Sequence, residues 1–494
     1  MSIAARIAGE HAPQMGLPCR CGQSCGGMCS VRPKDPRKAV SDKCSADARI
    51  LYRLLDTLRS SVAPSLGLVL RGTLGGTAWA TARERLELPN CDLPSAAWRR
   101  VREGYYGGRV VIARPIARGP GTHWDMNSAY PFALASTAVP CGAWSVYTRR
   151  DAQRCFDRNR PGIYACEVTS PESFLPPLPC RVGGRLAYPT GTFRGVWTLL
   201  ELRAAMERGA TIDKVAWCHV WETEAILFDD LIREWFKARS EAGKYSPLGQ
   251  WLRLLPNSIT GKLAEGPERS SARMFPKEIK WCEGRHPCSK RACVGACGAY
   301  EQLDKWGQVW GVPFYRPAPS AHVQWAAYLT AATRERWLTG AESQGHDLVY
   351  GDTDSLWTTG RGAPQPSGAK LGDWEYKGAW SDFECTAPRQ YRYTDGGTPV
   401  VKSTGATLTN EDWVRGTATI ERGVLSFAEA AARLDDTRKN PPSLFQRKEL
   451  RYSISTRGKE TGWYGDRVLD YDSNLTLPMP YGAIREGKGK GPQA

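Results

Sequence analysis

Two aspartates one residue apart, Asp352 and Asp354, interrupt the otherwise apolar, β-branched and aromatic stretch "HDLVYGDTDSLWTTG" at residues 346–360. Strands favour residues such as Leu348, Val349, Tyr350, Leu356 and Trp357, whereas Gly and Asp favour turns. The pattern predicts a hairpin: a strand over 347–350, a turn across 351–354 and a strand over 355–359. Two carboxylates at one turn tip repel each other unless a positive group lies between or beside them, and a divalent cation would serve. Asp-rich turns that bind nothing are also common. Alone, the hairpin leaves both an ordinary surface turn and a cation site open.

Two further stretches carry compatible chemistry. In "THWDMNSAYPFAL" (122–134), Asp125 precedes a Ser, a Tyr and the turn-forming Pro131. In "WLRLLPNSITGKLAEG" (251–266), a cation, an amide, a hydroxyl and a Gly share one register. Taken in order, Asp-x-x-Ser-x-Tyr-Pro, cation-x-x-x-Asn-Ser-x-x-Gly-Lys and Tyr-x-Asp-Thr-Asp-Ser resemble motifs A, B and C of family B DNA polymerases. The match is specific because three composite patterns occur in sequence at suitable spacing. Reverse transcriptases set their paired aspartates adjacent, so the intervening Thr353 argues against that class.

The resemblance implies an α+β right-hand polymerase, with an antiparallel palm sheet covered by helices, helical fingers and a small thumb, and with Cys-rich insertions. It implies nucleotidyl transfer with two Mg²⁺ ions about 3.5 to 4 Å apart. Hard cations take oxygen ligands, so carboxylates from separate strands must converge. Asp125 and Asp354 are then the bridging ligands, Asp352 a weaker one, and the backbone carbonyl of Met126 completes the shell. The nucleotide contacts implied are Met126, Asn127, Ser128, Ala129, Tyr130, Lys237, Arg253 and Asn257, with the Tyr130 ring under the incoming sugar. Arg253 stands where the family has Lys, a rigid fork in place of a flexible point charge. Thr260 replaces the family's Tyr before the motif B glycine, which bears on fidelity. Motif B should ride on a helix capped by Ser246-Pro247, and Pro256 inside it should kink it at a cost of about 3 kcal/mol.

More of the chain is similar to the bacteriophage, protein-primed branch. "EGYYGGRV" holds Tyr-x-Gly-Gly at Tyr105, Gly107 and Gly108, which in that branch meets the template strand. Downstream follow "KLGDWEYKG" (370–378), "APRQYRYTD" (387–395) and "VKSTGAT" (401–407). The primer-gripping Lys-x-Tyr reads here as Arg389-Gln390-Tyr391, and Lys402 adds a phosphate contact. With Ser258, Gly261 and Lys262 these form the implied DNA-binding set. The branch's N-terminal 3′–5′ exonuclease is largely missing from the pattern, with Asp47 a candidate relic of its third motif. The expectation is a polymerase without intrinsic proofreading, working in phage or plasmid replication with a terminal protein as primer. Its rivals are a primer-independent family B polymerase and a catalytically silent, nucleic-acid-binding relic.

Sixteen cysteines need a separate account. Cys282, Cys288, Cys293 and Cys297, among basic and small residues, fit a tetrahedral Zn²⁺ site better than four unrelated thiols. Arg285, Lys290 and Arg291 beside them suit DNA contact. Cys19, Cys21, Cys25 and Cys29 form a second candidate, with Cys44 or His11 as substitutes, and a disordered arm is the equal alternative.

The elements must present these groups together. "DARILYRLLDTLRSSV" predicts a helix from Ala46, "RVVIARP" a strand over 109–115, amphipathic stretches cover 197–208 and 224–241, and 320–338 reads as a helix leading into the Asp-Thr-Asp hairpin. The modules expected are 1–45 (Cys-rich), 46–108 (exonuclease remnant and Tyr-x-Gly-Gly linker), 109–222 (palm with an inserted subdomain), 223–266 (fingers), 267–318 (Cys-rich zinc-type insertion), 319–425 (palm) and 426–494 (thumb and tail). With 67 Lys+Arg against 51 Asp+Glu, the net charge of +16 calls for a polyanionic partner. The partners expected are a DNA template-primer and deoxynucleoside triphosphates, bound by a monomer. "MSIAARIAGEHAPQ" has no apolar h-region and no run is long enough to span a membrane, so the location expected is the cytoplasm of a bacterial host cell.

Overall fold

The computed structural model describes residues 49–274, 309–422, 448–454 and 462–485, with short interruptions. Asp47 and both cysteine runs, with Arg285, Lys290 and Arg291, lie outside the described residues. The chain divides into two compact units. One comprises the described residues up to Pro89, together with Tyr130–Ser136 and Ile226–Lys262; the other comprises the rest.

The larger unit is built on an eight-stranded sheet. Its strands run in the order Val110–Ile112, Leu348–Asp352, Ser355–Thr358, Gly121–Met126, Trp374–Ala387, Gln390–Asp395 and Thr398–Ser403, and Ile116–Ala117 joins Trp374–Ala387. Every pairing is antiparallel. The strands near Asp354 read as continuous apolar runs because both faces are covered. On one face Met126, Leu348, Leu356 and Trp374 pack with Trp337; on the other Val349, Tyr350, Trp357, Trp380 and Phe383 form an aromatic core.

The helix expected over 320–338 is Val323–Gln344. It runs past the predicted end because its buried face continues through Leu338 and Ala341. Trp337 from this helix explains a departure in the hairpin. Gly351, expected in the turn, lies within the strand Leu348–Asp352, and a Cβ there would stand 2.2 Å from Trp337 Cζ2. That glycine makes room for a tryptophan rather than a bend.

A second, four-stranded antiparallel sheet orders Val139–Thr148, Thr211–Ala225, Gly162–Ser170 and Gly191–Thr198. Tyr164, Trp197, Leu202 and Cys218 fill its core. Its helix Leu199–Glu207 contributes Glu201, 2.8 Å from Arg334 Nη2 in a pair almost fully removed from water. The strands Trp463–Tyr464, Arg467–Asp470 and Leu475–Pro478 make a small sheet that returns to the main one, since Thr476 N donates to Ala113 O at 2.8 Å. Glu268–Met274 pairs antiparallel with Val309–Tyr315.

The smaller unit is helical. A π-turn Leu58–Val62 and Ala63–Ser65 lead to the helices Leu74–Arg85, Asp229–Ala242 and Pro247–Leu263. Ser246 caps the last as expected, its Oγ accepting from Gly249 N at 2.9 Å. That helix runs on through Pro256. Arg85 Nη1 and Nη2 bind both oxygens of Glu234 at 2.9 and 2.5 Å, tying two helices together. Among the described residues no helix is long and apolar enough to cross a membrane.

Candidate active site

Strand register makes Asp125 and Asp354 backbone neighbours. In the pairing of Ser355–Thr358 with Gly121–Met126, Ser355 faces Asp125. One step beyond, Met126 N donates to Asp354 O at 2.7 Å. Asp125, near the end of one strand, and Asp354, in the turn just before the adjacent strand, therefore adjoin, although 229 positions separate them in the chain.

The hairpin tip is tighter than its composition suggests, because only Thr353 and Asp354 lie between the strands. Thr353 adopts φ 57°, a left-handed conformation that is costly for a β-branched residue. Its surroundings hold it there. Thr353 N donates to Arg109 O at 2.7 Å, Asp354 N to Asp352 O at 2.6 Å, and Thr353 Oγ1 to Asp352 Oδ1 at 2.9 Å. A Cβ on Gly108 would lie 2.3 Å from Thr353 Oγ1. The second glycine of Tyr-x-Gly-Gly thus admits the hairpin tip.

Asp352 is differently engaged. Arg389 grips both its oxygens, Nε to Oδ2 at 2.8 Å and Nη2 to Oδ1 at 3.0 Å. Arg389 itself sits at φ 61°, and its backbone N donates to the Tyr350 hydroxyl at 3.1 Å. Tyr391 stacks on Phe383 with ring centroids 5.4 Å apart, while Lys402, its partner across the strand pair, is exposed.

Asn127 is pinned by the segment expected to matter from its motif. Its N donates to Asp373 O at 2.8 Å, its O accepts from Gly372 N at 2.9 Å, and Nδ2 donates to Ala369 O at 2.9 Å. Ser128 follows at φ 60°, and the helix Ala129–Ser136, carrying Tyr130, begins there. The Tyr105 carbonyl accepts from Arg181, and the Tyr106 and Gly107 carbonyls accept from Arg334 Nη1 at 2.8 and 3.1 Å.

In the helical unit, Asn257 Nδ2 donates to Arg253 O at 2.9 Å and Ser258 Oγ to Leu254 O at 2.6 Å. Arg253, Asn257, Gly261 and Lys262 thus share one helix. Thr260 is buried. Lys237 is exposed on the helix Asp229–Ala242, 3.9 Å from Glu241.

Sequence reasoning missed Lys377 and Glu375. Glu375 pairs with Asp125 across the strands. Lys377 Nζ lies 2.7 Å from Glu375 Oε2 and 3.6 Å from Asp125 Oδ2. The signal was the Glu-x-Lys alternation in "KLGDWEYKG", which places two opposite charges on one strand face. Nearby, burial first and then Lys377 and Lys402 push the His123 imidazole down to about 4, so it is neutral where it stacks on Trp357 at 4.0 Å.

Among the described residues no three His, Cys, Asp or Glu side chains converge as a closed metal cage requires. The carboxylates of Asp125 and Asp354, on neighbouring stretches of backbone, are the hard oxygen donors that a Mg²⁺ ion shared with substrate phosphates and water takes. The residues fit that cation.

Residues 31–284, just over half the chain, match the family described as DNA polymerase type B, organellar and viral. A probable DNA polymerase of Ascobolus immersus is 26% identical over 244 residues, covering 47% of this chain and 20% of the relative. The DNA polymerase of Bacillus phage phi29 is 23% identical over 314 residues, covering 59% of this chain and 49% of the relative. The matched part thus spans from a fifth to about half of these relatives. A solved structure of phi29 DNA polymerase, complexed with primer-template DNA and incoming nucleotide substrates, superposes with TM-score 0.65 at 17% identity. It covers 92% of this chain and 78% of that one, a likeness of fold.

Proposed function

The chain belongs to the type B DNA polymerases of organelles and viruses, and from that membership we propose that it is a template-directed DNA polymerase extending a 3′-hydroxyl with deoxynucleoside triphosphates. The observation that carries the reading is the register that seats Asp125 beside Asp354. Asp125, Asp354 and the Met126 carbonyl are the groups to hold Mg²⁺, two ions in this reading. Bound there, Mg²⁺ supplies the Lewis acidity that phosphoryl transfer needs.

The chain's own groups do the rest. Asp125, on a strand, and Asp354, in the turn beside it, fix charge at the reacting centre. Arg389 holds Asp352 in place, which makes Asp352 a buttress of the hairpin and at most a minor ligand. Asn127, pinned on both backbone sides, sets the turn from which Ser128, Ala129 and Tyr130 meet the nucleotide. Arg253, Asn257 and Lys237 serve the triphosphate, and Arg is suited to bidentate phosphate contact. Tyr105, Gly107, Gly108, Ser258, Gly261, Lys262, Tyr391 and Lys402 serve template and primer, with Arg389 reaching the primer once Asp352 releases it.

The same proposal assigns the eight-stranded sheet as palm, the helices between 223 and 266 as fingers, 426–494 as thumb and tail, and 267–318 as a zinc-type insertion. It includes protein priming, for which the phage relatives are the support, action as a monomer in a bacterial host, and no proofreading within this chain. Metal analysis of chelator-free protein without zinc would remove the zinc assignment. Degradation of a 3′-mismatched primer, lost on Asp47→Ala, would remove the last.

The test of the function offers template, nucleotides and Mg²⁺ with and without a primer. Extension of the primer alone is the expected result. Products without primer would favour a primer-independent enzyme, and DNA binding without incorporation a silent relic.

A further inference from the structure

One cation beside the candidate metal ligands lies at an irregularity in the sheet. Glu375 faces Asp125 and Tyr376 faces Trp124, but Gly378, not Lys377, faces His123. Lys377 is therefore an extra residue in its strand, the kind of bulge that re-aims a side chain next to an active site. The result is an ammonium 2.7 Å from Glu375 Oε2 and 3.6 Å from Asp125 Oδ2, with only 26% of its side chain exposed. An ammonium so placed is drawn to the same Asp125 carboxylate as an arriving divalent ion, with half its charge, and repels that ion.

We propose that Lys377 is a resident counter-ion that competes with a divalent metal ion for Asp125, so that the site loads metal tightly only when a nucleotide's triphosphate adds negative charge. Glu375 is the holder to which the ammonium retreats. This makes metal capture depend on nucleotide, and it keeps paired carboxylates from repelling each other in the free protein. The inference rests on reading Asp125 as a metal ligand.

The test measures Mn²⁺ binding to the full chain without nucleotide or DNA, by the electron paramagnetic resonance of free Mn²⁺. The site of interest is the portion lost on Asp125→Asn. Lys377→Met should tighten that portion by about fivefold or more, Lys377→Gln should do likewise, and Lys377→Arg should leave it near wild type. Thermal melting confirms that each variant is folded, and the Met and Gln variants guard against the loss of either. Unchanged or weaker Mn²⁺ affinity in the folded neutral variants overturns the proposal, as does the absence of any Asp125-dependent binding in all of them. Primer extension run in parallel separates the two readings. Extension by wild type with unchanged Mn²⁺ affinity in Lys377→Met sinks only the counter-ion. Tighter Mn²⁺ binding in a chain that extends no primer sinks only the polymerase.

Discussion

At the residue scale, three aspartates of similar appearance separate by what touches them. Asp125 and Asp354 lie on adjoining backbone, whereas both oxygens of Asp352 are taken by Arg389. Asp354→Asn should therefore cost at least about a thousandfold in incorporation rate, the size expected from losing several kcal/mol of transition-state charge stabilisation. Asp352→Asn should cost about tenfold, because it weakens a charge-assisted pair without emptying the ligand set. Single-turnover nucleotide incorporation by the two variants checks the ranking, and equal losses would return Asp352 to the metal.

At the element scale, the hairpin, the Tyr-x-Gly-Gly segment and the Arg334–Glu201 pair act as one assembly. Gly108→Ala would drive a methyl into Thr353 and displace the tip, and misplacement by about 1 Å can cost about a hundredfold in rate. The expected signature is lost incorporation with a melting temperature close to wild type. Glu201→Gln would leave Arg334 charged in a dry site and should destabilise the fold by about 3 kcal/mol, measured by denaturant unfolding. His219, on the four-stranded sheet, is driven down to about 4 by burial first and then by Arg100. The unfolded chain takes up that proton near pH 6.5 and the folded chain does not. Stability from His219 is thus intact above about pH 6.5 and is lost as pH falls toward 4. Melting temperatures across that range should flatten in His219→Phe.

Much of this assembly was legible because its parts are local. Apolar runs broken by Asp gave the hairpin, Ser246-Pro247 gave a helix start, and the helices at 199–207, 229–242 and 323–344 followed from their periodicity. What escaped depends on distant partners. Gly351 reads as a turn residue unless Trp337 is known to lie over it, and a bulge at Lys377 depends on pairing with a strand some 250 residues earlier. Arg389 was expected at the primer, yet its position 37 residues after Asp352 gives no hint that the two are bonded.

At the scale of the whole molecule, a net charge of +16 matches a polyanionic partner. If that partner is primed DNA, affinity should fall steeply with salt, with a logarithmic slope of about −0.9 for each phosphate neutralised. Fluorescence anisotropy at several salt concentrations reads it directly, and a flat response would contradict the electrostatic footprint. The central claim is that two carboxylates brought together by one strand register perform nucleotidyl transfer on a primer. The most direct measurement is incorporation of a single deoxynucleotide onto a primed template by the wild-type chain and by Asp354→Ala, with DNA binding measured in both. The account predicts extension by the wild type, none by the variant, and equal DNA affinity. Binding by both with extension by neither would contradict it.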